Sequence, residues 1–133
     1  MRKIIWVAIL LVGISGCSGA GLPVSGKRLF QENCANCHGV YADGSGPAAV
    51  DIGLPIPDLR YLTESNAGIF PEQLIFQIID GQTDIEAHFS RRMPVWGYEF
   101  SLQEPDNGKA DQRVRRKIQA LTDYLRSIQQ ENK

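Results

Sequence analysis

The pentapeptide Cys34-Ala35-Asn36-Cys37-His38 constrains this chain more than any other stretch. Two thiols three positions apart, followed directly by a histidine, form the C-x-x-C-H arrangement for covalent attachment of a c-type haem. The chemistry accounts for the spacing. Each thiol adds to one vinyl group of the porphyrin, so both sulfurs must reach one flat macrocycle. The next imidazole then stands over the iron as an axial ligand. One helical turn beginning near Cys34 meets all three demands. A thioredoxin-like redox pair would want a strand before the motif and a helix after it. Here a short helical stretch precedes it and a Gly- and Pro-rich segment follows. A structural zinc site would want a second ligand pair, which the widely separated His38 and His88 do not supply.

The chain has 133 residues, enough for one domain, and a hydrophobic content of 43%, ordinary for a globular protein. A domain of about 100 residues has a limited core, to which a buried porphyrin would add a large apolar surface. Net charge is −1. Loss of Arg2 and Lys3 with a signal segment would leave 12 basic against 15 acidic residues, a net charge of −3. Nothing in that balance points to nucleic acid, and no small-molecule substrate is implied. Of three cysteines, Cys34 and Cys37 are assigned to the haem and Cys17 ends the N-terminal apolar run. No disulfide is therefore expected.

Arg2 and Lys3 form a positive n-region and residues 4–12 an apolar h-region. That run is shorter than the ~20 apolar residues of a membrane span, which favours a secretory signal. Ile14-Ser15-Gly16-Cys17 resembles the lipobox of bacterial lipoproteins, with isoleucine where leucine is usual. On that reading residues 1–16 are removed, Cys17 is lipidated, and residues 17–24 are an irregular tether carrying Gly19, Gly21 and Pro23. Each buried methylene of an acyl chain contributes about 0.8 kcal/mol, and several chains hold a protein stably on a membrane. The alternatives are an ordinary signal peptide with an incidental cysteine, or an uncleaved helix.

The domain proper is expected over residues 25–130, with a short tail at 131–133. Ser25 suits the cap of a first helix whose face carries Gly26, Leu29, Phe30 and Asn33. Gly26 reads either as a tight helix crossing or as a frayed terminus. Residues 39–61 are rich in Gly and Pro without sustained periodicity, a long loop suited to wrapping a haem edge. A ligating histidine usually donates its second ring N–H to a fixed acceptor, and the Pro47 carbonyl is the candidate acceptor for His38. Residues 71–79 read as a helix with Pro71 at N1, Gly81 as C-terminal cap, and Leu74, Ile75 and Ile78 on its apolar face.

Residues 84–100 are less regular and must supply any second axial ligand. Pro94 keeps Met93 out of a helix interior, and Met93 is the only methionine beyond the initiator. It is preferred over His88 and over an open iron. Trp96 and Tyr98 either meet a haem propionate or are half-buried aromatics. After a polar turn at 104–108, a final helix over residues 111–129 carries a stripe of Val114, Ile118, Leu121, Leu125 and Ile128, with Tyr124 beside it. Lys109, Arg113, Arg115, Arg116 and Lys117 crowd its start, where cations oppose the helix dipole. They form either a solvated face or a docking patch.

Together these residues make the chain resemble class I c-type cytochromes of bacteria over residues 25–129. The resemblance rests on Gly26 and Phe30, Cys34-Ala35-Asn36-Cys37-His38-Gly39, and Gly44-Ser45-Gly46-Pro47. It continues through Pro57-Asp58-Leu59, Met93-Pro94 and Leu121-Thr122-Asp123-Tyr124-Leu125. It implies a small all-α cytochrome c fold of three to five helices around one covalently attached haem, with the first and last helices crossing where Gly26 and Phe30 meet Tyr124. It further implies His38/Met93 ligation, support for Pro47, and one-electron transfer between protein partners. The expected setting is the periplasmic side of a bacterial envelope. Two alternatives stand beside the free carrier: a haem c subunit of a larger oxidoreductase, and an open-site haem enzyme or sensor. Residues 99–108 look particular to this chain.

Overall fold

Ser25 starts the domain as an N-cap, its Oγ accepting from the Arg28 N–H at 3.3 Å. The coordinates are a computed structural model that describes residues 23–53, 55–83 and 93–131. Helix α1 spans Gly26–Asn33 and buries Phe30. At the other end of the chain α6 spans Ala110–Ser127 and buries Val114, Ile118, Leu121, Thr122 and Leu125. Four of these belong to the apolar stripe expected from the sequence. Thr122 joins them because its hydroxyl donates to the Ile118 carbonyl at 3.0 Å, which satisfies a buried polar group within its own helix.

The two terminal helices cross at Gly26. A Cβ there would lie 2.6 Å from the Ala120 carbonyl carbon and 2.9 Å from Tyr124 Cβ. The glycine therefore serves a close crossing, and the frayed-terminus reading falls. One turn on, the Phe30 and Tyr124 rings meet at a centroid distance of 5.3 Å and a tilt of 51°.

Between these helices lie α2 (Ala35–His38), α3 (Ala48–Ile52), α4 (Glu72–Asp80) and α5 (Trp96–Leu102). There are also 3-10 turns at Leu59–Tyr61 and Glu64–Asn66. No strand occurs among the described residues. Helices α2 and α3 are single turns, so four longer helices carry the packing. Helix α4 begins at Glu72, one residue later than expected, with Pro71 as its N-cap. Gly81 ends it at φ 85°, its N–H donating to the Gln77 carbonyl at 2.9 Å. The core joins Phe30, Ile75, Ile79, Phe100, Ile118, Leu121 and Leu125.

Two expectations need correction. The loop over 39–61 contains α3 and a 3-10 turn, both too short to show periodicity. The stretch over 84–100 ends in the start of α5, which runs on into residues 99–102, part of the stretch that looks particular to this chain. Its Phe100 is fully buried, 5.4 Å from the Trp96 ring and against α6. Burial of that ring, at roughly 1.5–3 kcal/mol, outweighs the ~1 kcal/mol disadvantage of Gly97 inside the helix.

Candidate haem site

The motif is delivered by the end of α1. The Cys34 N–H donates to the Phe30 carbonyl at 2.8 Å, so Cys34 both closes α1 and opens α2. The His38 N–H then returns to the Cys34 carbonyl at 2.9 Å. Cys34, Cys37 and His38 thus share one helical turn, as the spacing requires. Both thiols are half-buried and free of any disulfide. Burial pushes the Cys34 thiol up to about 12, with the neighbouring Cys37 adding to the effect.

The chain next folds back against this turn. The Gly44 N–H donates to the His38 carbonyl at 2.9 Å. Asp43 accepts from the Ser45 N–H at 3.1 Å and from its hydroxyl at 2.6 Å, and these bonds hold its carboxyl below the usual range. The Gly46 backbone lies so close to the Cys37 and Asn36 carbonyls that a Cβ there would collide with both. Pro47 follows directly, at the start of α3. It therefore stands just beyond the point where the loop touches the motif helix. The Nδ1 atom of His38 is buried.

His38 and Met93 line one cavity of about 300 Å³. Helix α4 supplies Leu74, Ile75, Ile78 and Ile79 to its wall, the turn after Pro57 supplies Leu59 and Leu62, and α6 supplies Leu125. Ser65 and Asn66 are its polar edge. An imidazole and a thioether on one largely apolar surface are a donor set suited to haem iron. The aliphatic wall suits the porphyrin faces, so the residues present fit the group.

The turn bearing Leu59 and Leu62 is held from both sides. Asp58 caps it, accepting from the Arg60 N–H at 3.0 Å and pairing with the Arg60 guanidinium at 2.6 Å. From the far end of the chain, Gln129 Nε2 donates to the Leu59 carbonyl at 2.8 Å. Gln129 Oε1 accepts from the Thr63 N–H at 2.9 Å. No sequence signal marked Gln129, because its partners lie 66 and 70 positions away.

The basic cluster resolves into parts. Arg113 and Lys117 both pair with Glu104, Lys117 at 2.6 Å, and Arg113 also donates to the Pro105 carbonyl at 2.9 Å. They anchor the turn before α6. Arg115 lies over the Phe76 ring at 5.5 Å, and Arg116 is exposed. Trp96 is half-buried against the core, whereas Tyr98 is 60% exposed. His88 and Cys17 lie outside the described residues, as do the signal segment and most of the tether. Pro23 and Val24 are exposed and irregular. No helix among the described residues is long and apolar enough to cross a membrane.

Crossed terminal helices, a C-x-x-C-H turn at the end of the first, and an apolar cavity bearing its histidine define a c-type cytochrome domain. The family model described as cytochrome c oxidase, cbb3-type, subunit III matches residues 21–125, and the chain belongs to that family. No curated protein and no solved structure matches the chain. Membership makes this an electron-transfer domain with covalent haem c, and Cys34 and Cys37 have the spacing of its attachment motif. Proteins of this family are typically periplasmic electron carriers.

Proposed function

We propose that this chain is a membrane-anchored, periplasmic one-electron carrier whose haem iron is held by His38 and Met93. The observation that carries the reading is the shared cavity of these two side chains. When bound, the haem supplies a reversible Fe(III)/Fe(II) change. The protein's part is to hold and to shield. Cys34 and Cys37 staple the group to α2, and His38 gives a nitrogen ligand whose orientation the Pro47 carbonyl fixes. Met93 gives a thioether, which raises the potential relative to a second imidazole. Wall residues of α4 and the 59–62 turn keep water from the iron. Cys17, lipidated after removal of residues 1–16, would hold the domain at the membrane while it meets redox partner proteins.

The family description, an oxidase subunit, favours a second reading in which the same domain works within a larger oxidoreductase. Gentle membrane extraction followed by size exclusion separates the two. A free carrier migrates near its own mass, and a subunit migrates with its complex. Intact-mass spectrometry of the mature protein tests the haem attachment and the anchor together. One haem plus acyl chains on a polypeptide beginning at Cys17 is expected. A polypeptide without haem would overturn the carrier, and an unacylated one would overturn the anchor.

A further inference from the structure

The seam between α4 and α5 ends beside Met93. One backbone approach and one side-chain contact join residues 80–81 to residues 95–97. At the first, Gly97 packs on Asp80, where a Cβ would come within 2.7 Å of the Asp80 carbonyl oxygen and closer still to its carboxylate. At the second, Val95 packs on Gly81, where a Cβ would meet Val95 Cγ2 at 3.1 Å and Cγ1 nearer yet. Gly81 also has φ 85°, which side-chain-bearing residues rarely adopt. The Asp80 carbonyl cannot swing aside as a flexible side chain would, and the branched Val95 side chain has little freedom to turn, so the two contacts hold 95–97 against 80–81.

Met93 lies two residues before this lock, and Ile78 and Ile79 lie just before its other half. All three line the cavity with His38. Pro94, between Met93 and Val95, restricts the connecting backbone further. We infer that Gly81 and Gly97 are positioning residues that set the reach of Met93 into the haem cavity. The seam thereby decides how firmly the thioether holds against competing ligands. This rests on the His38/Met93 reading and adds to it a device for ligand strength. Opening the seam moves the strand of chain that bears the sulfur while leaving the motif helix and the α1–α6 crossing in place.

The test is a titration of the oxidised holoprotein with imidazole, a ligand that must displace the thioether. Apparent affinity scales with the fraction of protein whose ligand position is open. In Gly97→Ala, imidazole should bind about tenfold more tightly than in wild type, with far-UV circular dichroism unchanged. Val95→Ala, at a position 48% exposed, keeps the fold should Gly97→Ala fail to. It should show the same change to a smaller degree. Thr122→Ala removes a buried side chain of α6 away from the cavity and should leave imidazole affinity at the wild-type value. If the far-red iron–sulfur band is present in wild type but both seam variants bind imidazole as wild type does, the positioning role is wrong and the ligation stands. Equal tightening in Thr122→Ala would reduce the effect to general destabilisation and also overturn the role. Absence of that band in wild type would remove the ligation on which the inference rests.

Discussion

The Phe30 ring lies 5.3 Å from the Tyr124 ring at the crossing of α1 and α6, and Phe30 is 1% exposed. The same α1 ends in the hydrogen bond that starts the motif turn at Cys34. The crossing therefore fixes both the fold and the direction in which His38 leaves the chain. Phe30→Ala should cost about 3–5 kcal/mol, from lost transfer energy and the cavity left behind. Tyr124→Leu should cost less, since the aromatic pair contributes roughly 0.5–1.5 kcal/mol beyond its burial. Urea denaturation of the holoprotein measures both, and equal costs would place the stabilisation elsewhere.

Glu104 links α5 to α6 through Lys117 and Arg113, and its side chain is 9% exposed. The hydrogen bond from Lys117 is the main cause that holds its carboxyl below the usual range, with Arg113 reinforcing it. A carboxylate depressed in the folded state adds stability above its unfolded value, roughly 4.3, and loses it as pH falls through the folded value. Glu104→Gln should thus be about 1–2 kcal/mol less stable near pH 7, allowing for partial solvent screening. The gap should close in acid. Denaturation at several pH values checks the sign, and a gap that widened in acid would contradict the ion-pair account.

Much of this was legible in local pattern, and the remainder depended on distance along the chain. The motif, the face of α1 and the stripe of α6 each repeat within a few residues, so spacing alone revealed them. Helices α3 and α5 escaped because five and seven residues hold too few turns to display a period. Trp96-Gly97-Tyr98 also has no helical look until Phe100 is seen to be buried. Met93 stood out as the only methionine beyond the initiator, and the structure places it on the cavity wall with His38. The Glu104 clasp and the Gln129 bonds were hidden, because a charged or amide side chain does not announce a remote partner.

Gln129 gives the third expectation. Its amide bridges the Leu59 carbonyl, the Thr63 N–H and, four residues back in the last turn of α6, the Leu125 carbonyl at 2.7 Å. Gln129→Ala leaves the Leu59 carbonyl and the Thr63 N–H without these partners in a half-buried place, at a cost of about 1–3 kcal/mol. The loss should be local. Hydrogen exchange at the Thr63 amide should accelerate well beyond that of α1 and α6 amides, and uniform acceleration would show that Gln129 merely supports the whole domain.

Removal of the sulfur gives a fourth. On the His38/Met93 reading, Met93→His should give a six-coordinate, low-spin iron with a lower reduction potential, because imidazole favours Fe(III) more than a thioether does. Spectroelectrochemistry of the variant against wild type reads the shift directly. A potential equal to that of wild type would mean that position 93 does not touch the iron.

The most direct measurement is the absorption spectrum of the oxidised protein, recorded for wild type, Met93→Ala and His88→Ala. If His38 and Met93 hold the iron, wild type and His88→Ala both show the weak far-red band of an iron–thioether bond, and Met93→Ala lacks it. A wild-type spectrum without that band, or a band lost in His88→Ala and kept in Met93→Ala, would contradict the ligand set.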